Sequence, residues 1–492
     1  MLTYRSAKGR WVLAATVLGS GMASLDATVV GIAVPRIGKD FHTGVSSLQW
    51  VVTAYTLTLA AFLLLGGTLG DRYGRRRVFM VGVVWFAIAS AGCAAAPNSM
   101  TLIGARALQG IGAALLTPGS LAILQSSFVP ADRSRAIGAW SGLGAVATAA
   151  GPILGGFLLS VGSWRLVFLL NLPLALVVIV VTRRHVPEST DSSATGRIDV
   201  PGAAWAVLAL STLTYGLIEA PGAGWGSAAV VGCLAVGLVA SVGFVLTERR
   251  SPAPMLPPSM FVARQFAATN AVTFLLYGAL GGALFLLPVV LQQVAGYSPL
   301  DAGLTLVPVT ILMFTLSAAS GRLATRLGPR LQMSVGPLVA GVGLTLLVRL
   351  TSDHSYVTGV LPGVLVLGLG LVITVAPLTS TAMSSAPGEH AGLASAVNND
   401  VARAAGLFAV AVLPVVSGLT GNAYLHPAEF AHGFRIASII AGAMCGLGAI
   451  VATLTIRNTR DGEVSHHPLT QTCAGATAPP LIASTEVSSR SR

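Results

Sequence analysis

The chain is built from long apolar runs, and their length limits what it can fold into. A helix needs about 20 predominantly apolar residues to cross the ~30 Å hydrocarbon layer of a bilayer. The sequence holds fourteen such runs, at roughly 11–34, 47–70, 78–95, 101–125, 136–160, 165–182, 200–219, 227–246, 266–292, 301–321, 332–350, 356–379, 391–416 and 433–456. Nothing alternates with the period of two that a membrane barrel requires. The expected fold class is therefore all-α, a polytopic membrane protein of 14 transmembrane helices. The first run is too long, and followed by too many others, to be read as a cleaved leader. Composition removes the soluble alternative. Asp, Glu, Lys and Arg make up 9% of the 492 residues, where an average soluble domain carries ~25%.

The few charges are placed with a bias. With the N-terminus inside, 22 of the 29 Lys and Arg fall in cytoplasmic segments, five fall outside and two lie within spans. Arg5, Lys8, Arg10, Arg183, Arg184, Arg249 and Arg250 are among the 22. This is the positive-inside asymmetry, and it predicts a cell (inner or plasma) membrane protein with both termini cytoplasmic. The net charge of +12 is then explained by topology and contact with anionic membrane lipids, and nucleic acid is not an expected partner. Cys93, Cys233, Cys445 and Cys473 are scattered, with no C-x-x-C, so neither a disulfide framework nor a metal site is implied.

An internal repeat divides the runs. The loop after the second reads Gly67-Thr-Leu-Gly-Asp71-Arg72-Tyr-Gly74-Arg75-Arg76, and the loop after the tenth reads Gly321-Arg-Leu-Ala-Thr325-Arg326-Leu-Gly328-Pro-Arg330. Five of the ten positions match without gaps. Repeats about a central site are how many secondary transporters are built. We therefore expect two pseudo-symmetric six-helix bundles with two helices inserted between them: residues 1–182, a linker region with the extra helices at 183–265, and 266–456. The remainder, 457–492, is rich in Ser, Thr and Pro and is expected to be a disordered cytoplasmic tail.

Several chemistries are excluded. A phosphate-binding loop ends in Gly-Lys-Ser/Thr, but the only lysines, Lys8 and Lys39, are followed by Gly9 and Asp40. No H-E-x-x-H or G-x-S-x-G occurs. The chain is not expected to be an enzyme or to carry a cofactor, so uphill work would draw on an ion gradient.

Ionisable residues inside spans are costly, ~2.5–3.5 kcal/mol or more each, and each calls for a reason. Asp26 has no basic residue within four positions, so no neighbour on its own helix neutralises it. Burial disfavours the charged form of such a carboxyl, which suits it to bind either a proton or a cationic substrate. A structural carboxyl bonded to a neighbouring helix is the alternative. Arg106, with Gln109 one turn on, cannot shed its proton. It serves either by favouring the ionised form of a nearby carboxyl or by anchoring helices. Asp400 and Arg403 stand at i, i+3, a spacing that lets them pair on one helix face. Asp26, Arg106 and Asp400 are the proton-coupling candidates, and Asp26, Tyr55, Gln109, Asn398 and Arg403 the substrate-cavity candidates. Asp71, Arg72, Gly74 and Arg75 form a tight turn able to cap a helix or pair across the halves, which makes them the gating candidates. Gly151, Pro152, Gly155 and Gly156 combine a helix break with faces small enough for close contact. Glu219, closing the seventh run, is expected at the outer surface.

Together these residues resemble the major facilitator superfamily, specifically its fourteen-span drug:proton antiporters, over nearly the whole chain up to about residue 456. Leu25 through Pro35 is similar to that family's span-1 signature, with Gly31 where Asn is usual. Gly67 through Arg77 resembles motif A, and Arg106-Ala-Leu-Gln109-Gly110-Ile-Gly112 resembles motif B, whose arginine the family implicates in proton coupling. Gly138, Gly142, Gly151-Pro152 and Gly155-Gly156 resemble motif C, the mark of exporters, with Ala147 at one of its glycine positions. Trp164-Arg165-x-x-Phe168-x-x-Asn171-x-Pro173 is also typical. The resemblance implies a proton-coupled antiporter that exports amphipathic small molecules by alternating access, working as a monomer. A dedicated exporter of one endogenous metabolite, lipid or peptide is the alternative on the same fold, and a non-transporting receptor or scaffold a remote one.

Overall fold

Polar caps and glycines mark several of the helix ends. In the computed structural model, which describes residues 2–190, 199–252, 254–385 and 391–458, α1 (Ala7–Phe41) opens on Ser6, whose hydroxyl accepts the Gly9 N–H at 3.1 Å. It closes at His42, in the left-handed region at φ 49°, with the cap N–H on the Gly38 carbonyl. Five helices follow: α2 (Val45–Tyr73), α3 (Arg75–Ala94), α4 (Ser99–Ser127), α5 (Pro130–Val161) and α6 (Arg165–His185). Next come α7 (Val200–Ala223) and α8 (Ala228–Arg250). The last six are α9 (Arg264–Val294), α10 (Pro299–Leu327), α11 (Pro329–Thr351), α12 (Tyr356–Ser384), α13 (Leu393–Val416) and α14 (Pro427–Thr455). These fourteen are long and apolar enough to cross a membrane. They run from 20 to 35 residues. The polar tail expected at the C-terminus lies, from residue 459, outside the described residues, as does 191–198 of the first linker.

Packing separates the helices into two sets. In the first, α4 lies between α2 and α3, and α1 packs on α5, α6 and α4. In the second, α9 packs on α13 and α14, α11 on α12 and α14, and α10 on α12. The inserted α7 and α8 form a hairpin, with α7 resting on α2 and touching α13. Glycines permit the closest approaches: a Cβ on Gly112 of α4 would stand 2.7 Å from the Phe86 backbone of α3.

The core is shared at one end only. At the end away from the N-terminus, a single apolar cluster runs from Val29, Ile37 and Leu48 of the first set to Leu286, Val410 and Leu413 of the second. Polar contacts cross there too. Gln49 Nε2 donates to the Val410 carbonyl at 2.6 Å, Gln292 Nε2 to the Ile32 carbonyl at 3.1 Å, and the Tyr424 hydroxyl to the Gly38 carbonyl at 2.9 Å. At the N-terminal end the core splits. One cluster, around Val12, Phe79, Leu116 and Val178, draws only on the first set. Two smaller ones, around Val272 and Met333 and around Phe266 and Val397, draw on the second set and its preceding linker. Among the described residues, the buried apolar clusters thus join the two sets at one end and stay separate at the other.

Candidate functional site

Five helices of the first set bring polar side chains to one buried point. Asp26 of α1 has no exposed surface and Arg106 of α4 is 1% exposed, yet their side chains meet, Nη1 to Oδ2, at 2.5 Å. On the other carboxyl oxygen, Oδ1, Gln109 Nε2 donates at 2.9 Å and Asn171 Nδ2 of α6 at 2.8 Å. Arg106 also donates to Gln109 Oε1 at 2.7 Å and through Nε to the Val51 carbonyl at 3.1 Å, with its guanidinium 4.3 Å from the Tyr55 ring centre. Ser90 of α3 accepts from Gln109 and Asn171 and donates to the Phe168 carbonyl at 2.8 Å. Three N–H donors and no acceptor face the Asp26 oxygens, a set matched to a carboxylate. One polar atom of the cluster, Asn171 Oδ1, is buried without a partner.

This corrects the reading of Asp26 as an unpaired acid. Its partner lies 80 residues away on another helix, beyond the reach of any rule about i±4 neighbours. Asp26, Tyr55 and Gln109 are all buried inside the first set, Tyr55 at 1% exposure with its hydroxyl on the Ala23 carbonyl. Ser90 was missed, although a lone hydroxyl in an apolar run was legible. Asn171 was noted only as a family feature.

The second set holds a smaller polar group. Asn398 of α13 donates to Asn270 Oδ1 at 3.1 Å and Thr273 Oγ1 at 2.8 Å, both on α9. Asp400 and Arg403 do not close the pair that their spacing allows. Asp400 Oδ1 and Arg403 Nε are both buried without a hydrogen-bond partner. Spacing on a helix permits a pair without requiring one.

The motif-A turn is held locally. Arg75 Nη2 meets Asp71 Oδ1 at 2.7 Å, one helical turn away, around Gly74 at φ 111°. Arg72 lies over Tyr73, 5.6 Å from its ring centre. A residue that the sequence reading placed only in a linker completes the turn. Glu188 Oε1 accepts the Arg76 N–H at 3.0 Å at the start of α3, and Oε2 lies 3.7 Å from both Arg76 Nε and Arg77 Nε. An anion at a helix N-terminus is stabilised by the unpaired N–H groups there. The second set repeats the arrangement without charge: Asn458, following α14, accepts the Arg330 N–H at 3.1 Å beside Gly328 at φ 80°. Glu219 of α7 accepts the Trp50 indole N–H of α2 at 2.9 Å, so the inserted hairpin is tied to the first set.

The motif-C residues set the position of α5 between α1 and α10. A Cβ on Gly155 would stand 3.1 Å from the Val29 carbonyl oxygen of α1, and one on Gly156 2.7 Å from Leu300 Cα of α10. Gly151 similarly abuts Thr28, and Gly303 of α10 lies against the Pro152 carbonyl. Helical spacing puts Gly138 and Gly142 on the same face as Pro152 and Gly156, yet nothing lies within 4 Å of where their Cβ atoms would be. The seam is closed at one end and open at the other.

Among the described residues, no group of three or more His, Cys, Asp or Glu side chains could hold a metal ion. The sequence profile of the Major Facilitator Superfamily matches residues 16–411. The chain is 36% identical over 416 residues to the multidrug resistance protein Stp of Mycobacterium tuberculosis (strain CDC 1551 / Oshkosh), covering 84% of this chain and 77% of that protein. It is 36% identical over 404 residues to the tetracenomycin C resistance and export protein of Streptomyces glaucescens, covering 82% and 75%. Among solved structures, the D-xylose-proton symporter aligns with a TM-score of 0.65 at 17% identity over 91% of this chain and 98% of that one, a likeness of fold alone.

Proposed function

We propose an exporter's role on one premise: the chain belongs to the Major Facilitator Superfamily. It carries amphipathic drugs or antibiotics out across the plasma membrane in exchange for protons, by alternating access. The observation that carries this reading is the Asp26–Arg106 ion pair, sealed in a six-helix set that joins its counterpart at one end only. The names of its relatives, multidrug and antibiotic resistance proteins, support it.

With the N-terminus in the cytoplasm, the welded end faces out and the open end faces in. Substrate enters between the sets from the inner side. Rocking then parts the outer weld and brings a proton path to Asp26. Protonation removes the negative charge that Arg106 Nη1 and two amide donors now meet, and the guanidinium, still charged, must find other acceptors. That rearrangement within α1, α4 and α6 is the event that couples proton binding to the seams. Asp400, whose Oδ1 is buried without a hydrogen-bond partner, is a second proton site, and Arg403 faces the substrate path. Asp71, Arg72, Gly74 and Arg75 re-form contacts with the second set when the inner end closes.

A narrower reading, export of one dedicated compound, is favoured by relatives named for a single antibiotic, such as the methylenomycin A resistance protein of Streptomyces coelicolor. Efflux assays in a pump-deficient host, with and without a protonophore, test both. Loss of efflux of several unrelated compounds on proton collapse is the expected result. Protection against one compound alone selects the narrower reading, and efflux insensitive to the protonophore removes proton coupling.

A further inference from the structure

We propose that a cup at the welded end of the second set binds an amphipathic organic cation, at a site separate from the Asp26 network. The cup lies between the α9–α10 connection and the start of α12, with a volume of about 580 Å³, within the ~300–1,000 Å³ range of small-molecule sites. Its walls include two aromatic rings, Tyr297 and Tyr356, and the apolar side chains of Leu304 and Pro308. Its one charged lining residue is Asp301, and no basic side chain lines it.

The polar groups are held in place before any ligand arrives. The Tyr297 hydroxyl donates to the His354 carbonyl at 2.9 Å, which fixes the ring. Ser298 caps the start of α10, its hydroxyl accepting the Asp301 N–H at 3.1 Å and donating to Asp301 Oδ2 at 2.6 Å, which holds the carboxylate in place. Burial first, then Tyr356, Asp301 and Asp353, push the Tyr297 hydroxyl above its ordinary value. Aromatic faces attract cations through their quadrupole, a carboxylate supplies the counter-charge, and apolar walls take up hydrocarbon. An anion of the same shape meets the same ring faces and the Asp301 carboxylate. The lining therefore selects for sign as well as for apolar bulk.

The cup also backs onto a moving seam. The first turns of α10, which form one wall, lie against α5, with Gly303 on the Pro152 carbonyl and Gly156 on Leu300. Binding itself does not depend on the chain being an exporter, and it can be measured without a gradient.

The test is an equilibrium titration of the full chain in an uncharged maltoside micelle, where no lipid headgroup supplies the cation. The probe is tetraphenylphosphonium, whose charge does not change with pH, and tetraphenylborate is the anion of matching shape. Asp301→Asn and Tyr356→Leu should each weaken one class of phosphonium binding by about tenfold. Tyr356→Phe, which keeps the ring, should retain it, and Asp26→Asn should leave that class untouched. Equal thermal unfolding of the variants establishes that the fold is intact, and Asp301→Asn carries the test alone if Tyr356→Leu unfolds early. Unchanged affinity in the variants overturns the proposal. So does equal binding of tetraphenylborate, or loss of the same class in Asp26→Asn, which would place the probe at the buried network.

Discussion

Burying Asp26 and Arg106 together requires both to leave water, and the penalty is tolerable only because they pair with each other and each makes further hydrogen bonds. Removing one partner strands the other. Arg106→Ala leaves a buried carboxylate without its counter-charge, and such changes cost ~3–5 kcal/mol. The variant should unfold at visibly lower temperature in detergent, and an unchanged midpoint would mean that the pair contributes nothing to the fold. Asp26→Asn is gentler, because the amide oxygen can still accept from Gln109 or Asn171. It should reach the membrane at normal levels yet lose proton-dependent efflux. Undiminished efflux in that variant would take Asp26 out of the coupling mechanism. Much of this was readable from sequence as separate oddities: an acid, an arginine and two amides in apolar runs. Their convergence was not readable, because Asp26 and Arg106 stand 80 residues apart and nothing local fixes how α1 and α4 are rotated about their axes.

Helix α5 shows the same division one level up. Its glycines announced close packing, and the structure assigns them partners: Gly151 and Gly155 to α1, Gly156 to α10, and none within 4 Å for Gly138 and Gly142. Overpacking a tight contact costs ~1–3 kcal/mol, enough to shift a two-state equilibrium by about fivefold to a hundredfold. Gly142→Leu, harmless in the present state, should clash when the open end closes and so hold the molecule as it is here. Gly156→Leu should strain the welded end and favour its opening. Thiol-labelling rates of cysteines placed along the seam should move in opposite directions in the two variants. Equal rates would mean that the α5–α10 seam does not gate. The inserted α7, seated on α2 and bonded through Glu219 to Trp50, rides with the first set, a placement that its polarity alone did not indicate.

At the scale of the molecule, the prediction concerns two distances. Spin labels at 138 and 321, at the open end, should approach one another when substrate and a proton gradient are supplied, while labels at 49 and 410, at the welded end, separate. Distances that stay fixed, or change in the same direction, would rule out rocking of the two sets. The sequence by itself determined the fourteen membrane helices, the six-plus-two-plus-six arrangement and the small-residue faces. Those depend on run length and local spacing, which a bilayer reads directly. Only the tertiary structure decided that Asp26 is paired, that Asp400 and Arg403 are not joined, that Glu188 clamps the motif-A turn, and which end is shut. Each of these depends on how separate helices turn and lean against one another, and lipid, which accepts almost any apolar helix face, leaves that choice to packing and to a few buried polar contacts.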